Sequence, residues 1–552
     1  MDTRGMRLGL TVLVTVGGLL LVMPSLRAAE LPPKLKEVLR EAQQLQEKGE
    51  KGDYLAYAQA WEKYQQIRKA EHNPPKEVID GAQFCLRRVQ QFRRLRDKPS
   101  QARLGDLSSS DALNLYADLL ADLREKYYFD RTKVHFGDLF QYGVQELRFA
   151  LEDDAFLKEQ VRADVEPAAL QALRAQLEGL RMEQPTIKKP ADAREQLQSV
   201  MLSARGVGVK PTVVLVEFIS GACNALDEYT NYLSPRRLDE IEADQSGKYV
   251  GIGVDVALYC EKGAKQLAVT KVYENGPAYG KLNAGDAILS IDGQAMDPAA
   301  SVAFAARLEG EAGTTVELEV KSLDGMKRKV KVERQVVFVP SVVAEPMVSD
   351  EGVGWIRIAS FQTTTPEEVR SAVLQLRNQR DGLKALVLDL RGNLGGSFEA
   401  GVKVAELFLS EGVIVYTQMR TKEKARRANN PDAFTVPLVV LVDANTASAA
   451  EVVAGALKDN NHRAILVGQQ TYGKGSIQYP VPLKSLKAGM HVTIARFSSP
   501  ERVPYDGHGV IPHELVENSM MMMDDAQARN RAMDQAISLA GMAAPMKRPP
   551  MD

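Results

Sequence analysis

Five consecutive apolar residues, Leu438 to Val442, run straight into Asp443-Ala-Asn-Thr and then into Ala447 to Leu457, which is free of Gly and Pro until Gly455. A short apolar run bounded by turn residues reads as a buried strand, and the Ala- and Val-rich stretch after it reads as a helix with Ser448 in or just before its first turn. The same pattern recurs upstream. Gly352 to Phe361 and Leu383 to Leu390 read as core strands separated by a helix over Pro366 to Arg380, and Gly401 to Leu409 reads as another helix. Downstream, Ala464 to Val467 is a further strand that delivers the chain to Gly473-Lys474-Gly475. Strands alternating with helices make this stretch an α/β core.

Two residues in it carry candidate chemistry. A serine hydroxyl is a poor nucleophile at neutral pH until a base takes its proton. Lys474 is a candidate base, provided burial lowers its pKa from the ordinary value of about 10.4. Its neighbours Tyr472 and Ile477 are uncharged, and Gln478 is placed to hydrogen-bond the amine and fix its direction. The N-terminus of the Ser448 helix offers free N–H groups and a positive dipole end to a developing oxyanion. Each residue also has an ordinary reading. Ser448-Ala-Ala-Glu451 is an S-x-x-E capping box, which needs no reactivity, and Lys474 reads equally as a surface turn lysine. A nucleotide-binding loop is excluded: Gly468 to Lys474 has the glycine and lysine spacing, but Gly475 replaces the Ser or Thr that would hold magnesium, and Pro480 and Pro482 stand where a helix should begin.

Three blocks in this order, Asp389-Leu-Arg-Gly-Asn-Leu-Gly-Gly396, Thr446-Ala-Ser-Ala-Ala-Glu451 and Gly473-Lys-Gly-Ser-Ile-Gln478, resemble the signature blocks of the carboxyl-terminal processing peptidases, or tail-specific proteases. The resemblance runs from about residue 114 to 517, apart from an apparent insertion over about 157–211. It implies a Ser-Lys peptidase in which Ser448 is the nucleophile, Lys474 the general base and Gln478 the residue that orients the lysine. Glycines after a strand bring backbone N–H groups near a ligand, so Gly395 or Gly396 is expected to share the oxyanion with the N–H of Ala449. Asp389, Arg391 and Asn393 are expected to pair or cap around that turn.

Residues 247–338 resemble a PDZ domain: Tyr249-Val-Gly-Ile-Gly-Val254 joins a glycine turn to an alternating strand, and Asn283 to Gly293 supplies a strand and tight turn. Such a domain holds a peptide as an added strand and receives its terminal carboxylate on backbone N–H groups, for which Gly251, Ile252 and Gly253 are the candidates. The other reading of these glycines is a structural turn. Relatives often carry a basic residue and Pro before the Gly-Asp pair, where this chain has Asn283 and Ala284; likewise His513 stands in place of an acidic residue.

The chain of 552 residues is ordinary for soluble globular protein, with 45% hydrophobic and 26% charged residues, and its formal charge of −2 gives no reason to expect nucleic acid as partner. Arg4 and Arg7 precede an uncharged run from Leu8 to Met23, the order of a secretory signal, which implies export to the periplasm or cell envelope. An uncleaved anchor associated with the membrane is the alternative. Three widely spaced cysteines and six histidines without H-E-x-x-H spacing suggest no disulfide framework and no metal site. No cofactor is implied.

The organisation read from sequence is therefore multidomain α+β. A leader or anchor over 1–29 precedes a helical module of unknown role over 30–110. A helical region over 111–246 frames the protease, with the PDZ domain over 247–338, the α/β Ser-Lys core over 339–517, and a tail over 518–552. Arg87, Arg88, Arg93, Arg94 and Arg96 read as a solvated basic face, residues 98–110 as a linker, and Leu170, Leu173, Leu177 and Leu180 as one packed helical face. The expected function is that of an exported serine endopeptidase acting on proteins or peptides with accessible C-terminal tails. The alternative from another class is a noncatalytic PDZ scaffold of the cell envelope.

Overall fold

The computed structural model describes residues 31–516 except 72–73, 129–133, 262–263, 297–304, 346–351 and 380–381, together with residue 538. The leader, the first half of the apolar stretch 301–308 and, apart from residue 538, the tail over 518–552 lie outside the described residues. The chain divides into two compact units after Val89.

In the first unit, α1 (Pro33–Glu50), α2 (Tyr54–Ala70) and the start of α3 (Lys76–Arg96) bury Ala42, Ala60, Tyr64, Ile67, Val78 and Cys85. Their spacing puts one apolar side of each helix inward. The basic stretch of α3 is not the solvated face expected from charge alone: Arg87 and Arg88 are each only 7% exposed, with the Arg88 guanidinium 5.8 Å from the Tyr57 ring centre.

The second unit begins with the rest of α3, where Arg94 is buried against Glu217 at 2.7 Å. A buried guanidinium persists only when paired in this way. The expected linker is instead α4 (Lys98–Arg103), capped by the Asp97 carboxylate, followed by α5 (Ser109–Lys126), capped by Ser108. Next come α6 (Phe136–Ala150), α7 (Asp154–Gln160), α8 (Pro167–Glu183), α9 (Pro190–Gly206) and α10 (Pro211–Asn224). They close around Tyr116, Phe140, Leu173, Leu177 and Phe218, with Leu170 and Leu180 packed at the edge, as the leucine spacing predicts. Strand β1 (Asn231–Leu233) and α11 (Pro235–Ser246) lead out of this bundle.

Strand β2 (Lys248–Gly251) opens the next part, followed by β3 (Val254–Glu261), β4 (Ala264–Val272), β5 (Ala287–Ile291), β6 (Gln294–Ala295), β7 (Thr315–Lys321), β8 (Lys327–Glu333) and β9 (Gln335–Phe338). An antiparallel sheet of order β3-β4-β5-β7-β8, with β6 on β5, encloses Ile252, Leu267, Ile288, Leu318 and Val332, while β2 pairs with β9.

The last part alternates strands and helices as expected: β10 (Val342–Glu345), β11 (Val353–Ile358), α12 (Thr365–Arg377), β12 (Ala385–Asp389), α13 (Phe398–Glu406), β13 (Val413–Met419), β14 (Glu423–Arg427), β15 (Leu438–Val442), α14 (Ala449–Asp459) and β16 (Ile465–Gly468). Strands β17 (Ser476–Leu483), β18 (Ala488–Ser498) and β19 (Glu514–Leu515) complete it. The central sheet has the order β10-β11-β12-β15-β16-β19, parallel from β11 onward. A second sheet, β1-β18-β13-β14 with β17 on β18, carries Val481, Met490 and Val492 into the core of the helical bundle. That shared core is how the bundle frames the site. Among the described residues, no helix is long and apolar enough to cross a membrane.

Candidate active site

The turns that leave β12, β15 and β16 all emerge at the C-terminal ends of neighbouring parallel strands, where open α/β sheets form their crevices. They are laced together. The Thr446 hydroxyl donates to the Leu390 carbonyl at 2.9 Å, the Ala447 N–H to the Asn393 carbonyl at 2.9 Å, and the Tyr472 N–H to the Thr446 carbonyl at 2.9 Å.

Ser448 sits at the N-cap of α14 with φ 57° and ψ −118°, a backbone conformation strained for an L-residue by about 1–3 kcal/mol. The strain is held by Glu451, one turn on and fully buried. Its carboxylate accepts from the Ser448 N–H at 2.8 Å, the Lys474 N–H at 2.9 Å, the Gly473 N–H at 2.7 Å and the Thr471 hydroxyl at 2.5 Å. All four partners donate, so the group serves as an acceptor. Burial pushes its pKa up, against the opposing pull of those donors. The same oxygen, Oε2, holds both the Ser448 and the Lys474 amides, so these cannot lie farther apart than two hydrogen bonds laid end to end.

Lys474 is largely buried. Its amine lies 5.1 Å from the centre of the Tyr229 ring, and burial pushes its pKa down from the ordinary lysine value, opposed by the charges of Glu451, Asp227 and Glu228. Tyr229 and its neighbours are fixed to the framework: Asp227 Oδ1 accepts from the Tyr229 N–H at 2.8 Å, and Asp227 Oδ2 from the Tyr127 hydroxyl at 2.8 Å. The expected bond between Gln478 and the Lys474 amine is not among those the described residues make. A register shift between Ile477 and Gln478 sets the glutamine opposite Thr493, and its amide donates to Ser476 Oγ at 2.8 Å and Thr493 Oγ1 at 3.3 Å.

Gly395 packs directly on the serine: a Cβ added there would fall 2.8 Å from Ser448 Cβ and 3.1 Å from the Ala449 nitrogen, at a φ of +99°. Its N–H, however, donates to Asn393 Oδ1 at 2.8 Å and is already engaged. Gly396 bridges to Phe361 beside it, and Ala449, the first residue of α14, has an N–H outside the intrahelical ladder. Asp389 and Arg391 pair at 2.7 Å, and Asn393 spans to the Ile358 carbonyl at 2.8 Å, the pairing and capping expected of them. Among the described residues, no group of three or more His, Cys, Asp or Glu side chains is placed to hold a metal ion.

Sequence reasoning treated Glu451 as a helix cap alone. The S-x-x-E spacing was the available signal, and it gave no hint of the contacts twenty or more residues downstream. Likewise the Asp227–Tyr229 segment carried no chemical signature of its own.

At Gly251–Gly253 the carbonyls turn inward, with Ile252 O accepting from the Ala278 N–H and Gly253 O from the Tyr273 N–H, each at 2.9 Å. Gly253 has a φ of +80°.

Residues 352–516 match peptidase family S41 and residues 249–333 match the PDZ domain family, which together define a serine-type peptidase carrying a PDZ domain. The chain is 36% identical over 302 residues to the carboxyl-terminal-processing protease of Synechocystis sp., covering 54% of this chain and 69% of that one. It is 36% identical over 294 residues to the enzyme of the same name from Picosynechococcus sp., covering 52% and 70%. It is 34% identical over 295 residues to the chloroplastic carboxyl-terminal-processing peptidase 1 of Arabidopsis thaliana, covering 52% and 59%. The chain belongs to the carboxyl-terminal-processing protease family.

Proposed function

We propose that this peptidase is exported, captures the C-terminal tail of a protein substrate on residues 247–338, and cleaves it on residues 339–517 through Ser448 and Lys474. The Lys474 amine takes the Ser448 hydroxyl proton as Oγ attacks the scissile carbonyl carbon. The oxyanion is received by the Ala449 N–H and, since Gly395 is engaged by Asn393, by Gly396. Lys474 then gives its proton to the departing amine, leaving an acyl-enzyme that water hydrolyses by the reverse sequence. Gln478 holds the start of β17, the strand that follows the Lys474 loop, through Ser476 and Thr493. Export rests on the arginine-led apolar run up to Met23.

One observation carries this reading over the scaffold alternative: a single buried carboxylate oxygen ties the amides of Ser448 and Lys474 together, although 26 positions separate Ser448 from Lys474 in the sequence. A peptide-binding scaffold has no use for a strained serine clamped beside a buried lysine.

The test uses purified residues 30–552 and the variants Ser448→Ala and Lys474→Ala on an unstructured protein with an apolar C-terminal tail, followed by mass spectrometry. Cleavage by the parent alone is expected. Equal cleavage by either variant would remove that residue from the chemistry.

A further inference from the structure

The turn between β7 and β8 holds two large apolar side chains out in solvent: Leu323 is 85% exposed and Met326 67%. Their exposure is built into an ordered turn. The Gly325 N–H donates to the Ser322 carbonyl at 2.8 Å, the Ser322 N–H to the Met326 carbonyl at 2.9 Å and the Met326 N–H to Asp324 Oδ1 at 3.0 Å, with Gly325 at a φ of +87°. A Cβ added at Gly285 would fall 2.8 Å from Leu323 Cδ1, so the leucine rests on that glycine and turns its remaining surface to water. A single exposed leucine calls for no function. Two apolar side chains on one fixed turn differ, because of the charges around them.

Val316, Leu318 and Val320 on β7 and Val330 and Val332 on β8 face the core, so the alternate positions form the outer face of this hairpin. Along that face Lys329 and Lys331 each reach Glu317 at 3.2 Å. At the turn end, Lys321 stands directly opposite Lys327 in register, and among the described residues neither forms an ion pair. Like charges directly opposed across a strand pair are destabilising, and an anion laid over them removes that cost. Arg328 ties a third lysine to the same end: its guanidinium donates to the Lys281 carbonyl at 2.5 Å and to the Asp286 carboxylate at 2.6 Å. Tyr279, also exposed, lies on the Lys281 turn. Against these three lysines the β7–β8 turn sets one carboxylate, Asp324.

We propose that this end of the PDZ domain is a peripheral membrane contact: Leu323 and Met326 enter the acyl boundary of an anionic bilayer while Lys281, Lys321 and Lys327 meet its phosphate headgroups. A lysine stem lies along apolar surface with its ammonium kept at the interface, so lysines bordering an apolar tip match a lipid surface, which is apolar below and anionic above. Each signal alone is weak. Two side chains bury little apolar area, and three lysines bind anionic lipid reversibly and lose that binding in salt. Together they hold a domain on the surface without a spanning helix. The contact would also place the tail-binding turn beside the bilayer, since the segment that carries Lys281 carries Ala278, whose N–H donates to the Ile252 carbonyl.

The test uses residues 30–552, which keep every described residue and omit the apolar run from Leu8 to Met23 that would enter vesicles by itself. Sedimentation with phosphatidylcholine vesicles, with or without phosphatidylglycerol as about a third of the lipid, reads the partition coefficient. The parent is expected to bind the anionic vesicles at least about tenfold more strongly than the neutral ones. The double variant Leu323→Ser, Met326→Ser should lower anionic binding by about tenfold or more. Lys321→Gln and Lys327→Gln should each lower it by about fivefold and make it less sensitive to salt. None of these side chains is buried, so thermal unfolding should match the parent. Leu323→Trp should shift its emission to the blue on anionic vesicles. A parent that ignores both vesicles, or variants that bind as the parent does, overturns the proposal. So does a dimer in sedimentation equilibrium that the double variant breaks in place of vesicle binding, which would assign the tip to a second copy of this chain.

Discussion

In the proposed function two backbone sites receive a negative oxygen, one beside Ser448 and one at Gly251–Gly253, and the chain holds them differently. Beside Ser448, Asn393 engages the Gly395 N–H and Glu451 those of Ser448, Gly473 and Lys474, while the N–H of Ala449, the first of α14, lies outside the helical ladder. At Gly251–Gly253 the carbonyls of Ile252 and Gly253 accept from the Ala278 and Tyr273 N–H groups, which ties the turn to the segment after β4. An oxyanion exists only in passing, so its site gains by standing ready before the charge appears. A substrate carboxylate is present from the start, and its turn has only to present backbone N–H groups as the tail docks. One site is preorganised for a passing charge; the other receives a standing one.

That contrast breaks first at the proton-transfer pair. Lys474→Arg keeps the charge but cannot lose its proton, so cleavage by this variant is expected to fall by about 10⁴-fold or more, as on removing a catalytic base. Tail binding by anisotropy should persist. Retained turnover in the arginine variant would show that Lys474 acts by charge alone.

Next in size is the clamp. Glu451→Gln puts an amide NH2 where the wild-type group accepts from three N–H donors and one hydroxyl, and is expected to cost about 3 kcal/mol or more of stability. Cleavage should fall by roughly 100-fold, as expected when reacting groups are slightly misplaced. Calorimetry and single-turnover assays measure the two effects separately, and a variant as stable and active as the parent would dissolve the preorganised half of the comparison.

Gly395→Ala addresses the same half by packing. The added methyl would meet Ser448 Cβ at 2.8 Å at a φ that disfavours side chains, so kcat is expected to drop about tenfold or more while the affinity for tails stays unchanged. An equal loss in both would mean that the two sites are not separable.

The smallest effect is on pH dependence. With Lys474 as the proposed base, its unprotonated amine is the active form, so cleavage is expected to rise as pH increases through its pKa, which burial places below that of an ordinary lysine. Glu228 favours the ammonium, hence Glu228→Gln should move the acid limb of kcat/KM to lower pH. A limb that moves to higher pH, or not at all, would remove Glu228 from the electrostatics of the lysine.

The contrast also marks where sequence reading succeeds. The strands β11, β12, β15 and β16 and the helices between them were legible because burial on both strand faces and a 3.6-residue helical period are local patterns. So were the serine at a helix start and the glycines ahead of it. Misread were the elements whose environment is set from afar. Arg87, Arg88 and Arg94 looked like a solvated face because nothing near them in the chain discloses Tyr57 or Glu217. Residues 98–103 looked like a linker, although Asp97 caps a helix there.

By itself, the sequence determined the α/β core, the order of its signature turns and the residue types available for acyl transfer, since each follows from neighbours along the chain. Only the tertiary structure decided which donors are free. Whether a backbone N–H awaits a ligand or is spent on Asn393 or Glu451 depends on side chains brought to it by folding. A hydrogen bond is satisfied once, by whichever acceptor the packing places nearest.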